Sequence, residues 1–365
     1  MTWMNLSTAA SKVISVLTQN SLYFTFDNMP VTIDSLTRRQ KLNLVACGAH
    51  SLLRSGRTWA LPPVVQIEPS SNCNLRCSLC PCGSKSMKRP SGQMSLATFD
   101  RVMSELGDAM VCAVLYAWGE PLLNSLLPQM IAACAKRNIA TMTSTNGNAL
   151  RDLDHALELV DSGLSHLVIA VDGAEQETYE AYRKGGELST VFRCAELVTQ
   201  AKAIRRSATP YTNIRTVLMS TNAGELDRIE AFARSVGANM FSWKSVGCLV
   251  DSPQYAGYVP IGPATGREPV AGGALTIQCP YPWRQPTIFW DVTVVACEFD
   301  YDAESPLGNV HKHSFKEIWS GDTIVGLRGM FRSNKARPSF CSRCPYPSRK
   351  SEGTVLGSKR LRPSA

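Results

Sequence analysis

From Val64 to Val246 the sequence alternates short apolar runs with amphipathic stretches, and this alternation limits the fold more than any other feature. The apolar runs begin near Val64, Val111, Ile139, His166, Ile214 and Met240. Between them, helical spacing recurs in four sets: Leu96, Phe99, Met103, Leu106; Leu127, Met130, Ile131, Cys134; Leu153, Ala156, Leu157, Val160; and Leu226, Ile229, Ala233, Val236. One strand and one helix roughly every 30 residues is the length of a βα unit, which predicts parallel strands joined by helical crossovers. Six units are too few for a closed eight-stranded barrel, so the predicted sheet is open and partial. The spacing alone suits a doubly wound sheet equally well. In either fold the functional residues belong at the carboxyl ends of the strands.

The loop after the first run reads Cys73-Asn-Leu-Arg-Cys77-Ser-Leu-Cys80. Three thiolates in C-x3-C-x2-C spacing can converge on one inorganic centre. A cubane iron–sulfur cluster normally takes four thiolates, so three leave one iron open for a small chelating ligand. A zinc loop and a set of buried structural thiols are the plainer readings. A second set lies near the carboxyl end: Cys279 and Cys297 flank a hairpin that turns at Asp291, and Cys341 and Cys344 form C-x2-C. Four thiolates complete a coordination sphere, which suits a cluster that stores or passes electrons. On spacing alone zinc fits as well. His311 and His313 are spare candidates that read as surface residues.

Three later strands end in polar or glycine-rich residues: Tyr116-Ala-Trp118-Gly119-Glu120-Pro121, Thr143-Ser144-Thr145-Asn146-Gly147 and Val171-Asp172-Gly173, with Tyr179-Glu-Ala-Tyr-Arg183 downstream. Singly these are common turn sequences. Their recurrence at successive strand ends is the stronger signal.

The octapeptide at 73–80 resembles the cluster motif of the radical S-adenosylmethionine (radical SAM) superfamily, with Leu79 where an aromatic residue is usual. The resemblance covers residues 64 to 347. It implies a partial (β/α)6 barrel in which Cys73, Cys77 and Cys80 hold a [4Fe–4S] cluster and SAM binds its open iron. Trp118, Gly119 and Glu120 resemble a Gly-Gly-Glu-Pro element with Trp118 in place of the first glycine. This element, with Ser144, Asn146, Asp172 and Arg183, is then expected to position SAM. Residues 279 to 347 resemble the SPASM or twitch auxiliary-cluster domains, most closely the twitch type of an aminocyclitol dehydrogenase. Cys279, Cys297, Cys341 and Cys344 would hold a second [4Fe–4S] cluster. The implied activity is hydrogen abstraction by a 5'-deoxyadenosyl radical, leading to oxidation or remodelling of a polyhydroxylated small molecule. Epimerisation and modification of a peptide are the alternatives. Cys248 follows the sixth strand and is the candidate hydrogen donor for an epimerase. A non-catalytic iron–sulfur or zinc scaffold would have no use for Glu120, Asn146 and Asp172 at strand ends.

The remaining stretches carry less. Residues 1 to 61 read as a helical extension, with Val13, Val16 and Leu17 in one segment and Leu42, Val45, Leu52 and Leu53 in the next. Residues 247 to 278 are rich in proline and glycine and read as a linker or substrate loop. Residues 348 to 365 read as a disordered basic tail. Thirteen cysteines in metal-type spacing point to a reducing, cytoplasmic setting, and no signal peptide or membrane span is expected. A formal charge of +8 suits an acidic electron carrier such as a flavodoxin or ferredoxin. No basic stripe with interleaved aromatics suggests nucleic acid.

Overall fold

The computed structural model describes residues 16–18, 21–247, 255–259, 279–333, 337–342, 344 and 351–356. Six parallel strands form the centre of one sheet: β3 (Val64–Ile67), β4 (Cys112–Val114), β5 (Ala140–Thr145), β6 (His166–Ala170), β7 (Tyr211–Leu218) and β8 (Met240–Ser245). They lie side by side in chain order. A doubly wound sheet reverses its strand order at a switch point. Here every crossover steps the same way, so the fold is the partial barrel.

The sheet is longer at both edges than those six strands. β9 (Thr287–Ile288) joins β3 in parallel, followed by β10 (Thr293–Val295) and β11 (Gly308–Asn309), each antiparallel to its neighbour. The auxiliary region is thus continuous with the barrel wall. At the other edge β12 (Ser351–Val355) pairs antiparallel with β8. The expected basic tail therefore supplies a strand at 351–355. Ser-Glu-Gly-Thr-Val has little strand preference, and the open backbone edge of β8 decides its conformation.

Alternation along each strand separates two cores. Val65, Ile67, Ala113, Leu167, Ile169, Ile214 and Phe241 face the outer helices, among them Leu96–Leu106, Leu127–Ala135, Leu153–Asp161, Leu188–Arg205 and Leu226–Ser235. Cys112, Val114, Met142, Val168 and Met240 face inward. The inward face is not empty. A hairpin of β1 (Leu22–Phe26) and β2 (Met29–Ile33) packs Met29, Val31 and Ile33 into it, each at most 3% exposed. Such burial stabilises by about 1.5–3 kcal/mol per side chain. The carbonyl of Pro30 also meets His166 Nε2 at 2.7 Å.

This corrects the helical expectation for residues 1 to 61, since the strand pair precedes the helix Arg38–Leu52. Of the apolar residues first assigned to this segment, Val45 packs on the inner core, whereas Leu42, Leu52 and the capping Leu53 are exposed. It docks through Gln40, which donates to the Met110 carbonyl at 2.7 Å, and Asn43, which donates to the Leu61 carbonyl at 2.8 Å. Val13 and most of the 247–278 segment lie outside the described residues.

Candidate metal centres and cofactor site

The strand β3 delivers the chain to the carboxyl end of the barrel, and the loop from Glu68 onward holds Cys73, Cys77 and Cys80. Leu75, Cys77 and Leu79 are buried with Tyr182, Met219 and Val246, so apolar packing fixes the loop from beneath. Leu79 occupies that apolar cluster. The sulfurs accept N–H bonds, Cys80 from the backbone of Cys82 and Gly83. Cys73 Sγ receives the Leu75 amide at 3.5 Å and Asn146 Nδ2 at 3.8 Å, and Cys77 Sγ receives an Arg183 guanidinium N–H at 3.9 Å. Hydrogen bonding from the Cys82 thiol, with smaller help from Leu75, Arg183 and Asn146, holds Cys73 down at about 6 against burial. Burial pushes Cys77 up to about 12 and raises Cys80. Three thiols on one loop, with N–H donors aimed at sulfur, are a donor set that fits an iron–sulfur cluster.

The strand-end residues gather around that loop. Gly119 has φ of +107°, and a Cβ there would lie 2.5 Å from the Ser70 carbonyl oxygen. Only glycine permits this approach, which lets the Glu120 amide donate to the Asn72 carbonyl at 2.7 Å. The Glu120 carboxylate is 2% exposed and accepts the amides of Leu122 at 3.1 Å and Asn146 at 2.8 Å. Burial pushes it up to about 7. It therefore braces the Asn146 turn against the Trp118–Glu120 turn. Asn146 Nδ2 also donates to Asn74 at 2.8 Å. Ser144 is half-buried two residues earlier.

On the Cys77 side, Asp172 is fully buried and accepts Arg183 Nε and the Val217 amide, both at 2.6 Å. Of the seven positions expected to hold SAM, Trp118, Gly119, Glu120, Asn146 and Asp172 lie on the turns after β4, β5 and β6, Ser144 lies within β5, and Arg183 caps the helix Gln176–Tyr182. Cys248 lies outside the described residues.

The sequence reading missed the residues that join this loop to the auxiliary region. Glu68, fully buried, forms a two-point ion pair with Arg89, and its oxygens also accept the amides of Trp118 and Trp290 at 3.3 Å. Arg89 continues to the Tyr301 carbonyl at 2.6 Å and lies over the Phe289 ring at 4.0 Å. Gln66 Nε2 bridges the Tyr116 carbonyl and the Glu298 carboxylate, each at 2.8 Å. The signal was present in the first strand, where period-two alternation places Gln66 and Glu68 on one face with a charge at its end.

Cys279, Cys297, Cys341 and Cys344 line one cavity, walled by Phe299, Leu327, Phe331 and Phe340. They come from three separate segments, so the fold creates this convergence. Burial pushes Cys279 up to about 11, Cys341 up to about 12, and raises Cys297. Such thiols hold their protons until a metal displaces them. Four thiols in an apolar chamber fit a fully ligated iron–sulfur cluster. Trp118 packs against the same group of side chains, and its indole N–H donates to the Glu298 carbonyl at 2.8 Å, one residue past Cys297. His311 and His313 are exposed.

The sequence pattern of the radical SAM superfamily matches residues 67–233, and that of the iron–sulfur cluster-binding (SPASM) domain matches residues 279–345. A probable GTP 3',8-cyclase of Archaeoglobus fulgidus is 29% identical over 53% of this chain and 62% of its own length. The mycofactocin maturase MftC of Mycobacterium ulcerans is 27% identical over 46% of this chain and 43% of its own. The matches thus span less than two thirds of either relative. Among solved structures, Streptococcus suis SuiB bound to precursor peptide SuiA superposes with a TM-score of 0.61 at 14% identity, covering 92% of this chain and 80% of that one. That likeness supports the fold. With both patterns lying on the thiol sets just described, the chain belongs to the radical SAM superfamily and carries a C-terminal SPASM cluster-binding domain.

Proposed function

We propose that this enzyme oxidises or remodels a polyhydroxylated small molecule, using one [4Fe–4S] cluster on Cys73, Cys77 and Cys80 and a second on Cys279, Cys297, Cys341 and Cys344. Bound there, the first cluster and SAM would supply radical chemistry that removes hydrogen from carbon, and the second cluster would take up the substrate's electron. The chain's own task is to hold geometry. Arg183, fixed by Asp172, and the Trp118–Glu120 turn, fixed through Glu120 to Asn146, keep the reacting groups in near-attack positions. The observation that carries an oxidative outcome is Trp118. It belongs to the turn beside the cysteine loop and also bonds to the residue following Cys297, so one side chain links that turn to the auxiliary thiols. An acidic flavodoxin or ferredoxin in a reducing cytoplasm would supply the first electron. No helix among the described residues is long and apolar enough to cross a membrane.

Modification of a peptide is the second reading, favoured by the maturase relative and by SuiB, whose structure holds a precursor peptide. Epimerisation through Cys248 is the third. Anaerobic reconstitution tests the central reading: the wild type should hold about eight irons per chain. The triple change Cys73→Ala, Cys77→Ala, Cys80→Ala should halve the iron and abolish SAM cleavage. SAM cleavage that survives the triple change refutes it.

A further inference from the structure

Arg215 on β7 and Lys244 on β8 are 8% and 7% exposed, and both pair with Asp27 at the tip of the β1–β2 hairpin. No step of the proposed chemistry uses them. Their position is informative. Along β7 the inward residues run Arg215 then Val217, and along β8 Lys244 then Val246. Val217 and Val246 belong to the apolar cluster that supports Leu75, Cys77 and Leu79. Two residues of strand span about 7 Å, so the two cations lie one layer beneath the wall of the cysteine loop. Partly exposed inward residues lie beside them: Ala170 is in register with Arg215 and Val217 with Lys244, and Ser144 on β5 and Tyr116 just past β4 also face inward. A molecule entering at the carboxyl ends of the strands would rest on the Arg215–Lys244 layer.

The cations stand on strands and their anion on a turn, whose Asp27 carbonyl also accepts an Arg215 N–H at 2.9 Å. Arg215 Nε is held by Ser242 Oγ at 3.1 Å, which in turn bonds Asn213. Both cations rise from central strands of the sheet. Asp27 instead sits in a two-residue turn, Asp27–Asn28, with φ of 53° and 65°, tied at its far side by Asn28 to Ser351 at 2.9 Å. Its carboxylate gives one oxygen to each cation, and its side chain is 20% exposed. A guanidinium beside an ammonium is a ready oxyanion site, because both present N–H donors to one planar or tetrahedral group.

We infer that Arg215 and Lys244 form an oxyanion-binding floor for the substrate, and that Asp27 is an intramolecular stand-in which the substrate's carboxylate or phosphate displaces. The substrate is then an acidic polyhydroxylated molecule. This deepens the proposed function, resting on it only for where substrate enters.

Calorimetric titration of the anaerobically reconstituted full chain tests the floor, with D-gluconate, D-glucitol and inorganic phosphate as probes. Gluconate and glucitol differ only at one terminal carbon. Gluconate or phosphate should bind at least about tenfold more tightly than glucitol, or about 1.4 kcal/mol. Binding of gluconate alone assigns a carboxylate, and of phosphate alone a phosphoryl group. Lys244→Met and Arg215→Met should each erase the preference. Asp27→Asn, which keeps the turn but removes the competing charge, should tighten oxyanion binding by about tenfold. Equal binding of all three probes overturns the inference. So does an Asp27→Asn chain with unchanged oxyanion affinity, a result that stays readable even where Arg215→Met fails to fold. Failure here with SAM cleavage intact leaves the proposed function standing, and loss of SAM cleavage does not affect the titration.

Discussion

Arg89→Met would remove one half of the buried ion pair that joins the cysteine loop to the auxiliary region. Arg89 is 9% exposed and Glu68 fully buried, so the change leaves a carboxylate with no water and no cation. Removing one partner of a buried pair costs about 3–5 kcal/mol. At about 2 cal/mol/K per residue, 365 residues give an unfolding entropy of roughly 0.8 kcal/mol/K. A loss of about 4 kcal/mol then lowers the thermal midpoint by about 5 °C. The pH dependence has a definite sign. Burial raises Glu68 above the usual carboxylate range and Arg89 pulls it back. Without Arg89 the folded-state value rises further, so the deficit is largest at high pH and shrinks as pH falls and Glu68 takes a proton.

Chemical denaturation followed by tryptophan fluorescence reads this directly, since the amides of Trp118 and Trp290 both bond Glu68. Glu68→Gln added to Arg89→Met removes the stranded charge and should recover about 1–3 kcal/mol. A single variant that loses less than about 1 kcal/mol, or a double variant no more stable than the single, refutes the argument.

Replacing Cys341 and Cys344 with alanine should lower iron by half and stop product formation while SAM cleavage continues, read by chromatography of 5'-deoxyadenosine. Unchanged product removes the auxiliary thiols from the reaction. Glu120 makes a separate prediction about pH. Its folded-state value is raised by burial from 4.5 to about 7, so stability is greatest at low pH, falls across that window and is flat above it. Glu120→Gln should remove this group's share of the fall, at a cost of about 1–3 kcal/mol at low pH from one unsatisfied amide. Parallel pH profiles for wild type and variant, measured by urea unfolding of the apo chain, would contradict this.

What the sequence showed, and what it hid, follows from the range of each interaction. The six parallel strands were legible because each carries its own apolar run, and the turns at Trp118, Asn146 and Asp172 were legible because a strand end is a local event. The ion pair of Glu68 with Arg89 joins positions 21 residues apart that share no periodicity. The hairpin is the more instructive miss. Leu22-Tyr-Phe-Thr-Phe-Asp-Asn-Met-Pro-Val-Thr-Ile33 contains a turn pair, Asp27–Asn28, in which both residues take positive φ, a local hairpin signal. Yet two strands alone are marginal in water. Their stability comes from the barrel interior, where Met29, Val31 and Ile33 meet residues of β4, β5, β6 and β8 from across the chain. The same distance effect explains the helix Arg38–Leu52. Its docking combines Gln40 and Asn43, which reach carbonyls at Met110 and Leu61, with the buried small residues Ala46 and Cys47, while the large Leu42 and Leu52 stay in solvent. An amphipathic pattern reports the buried face only when burial is apolar. Here the buried face mixes two amide side chains, Gln40 and Asn43, with the small Ala46 and Cys47, so the large apolar residues do not mark it.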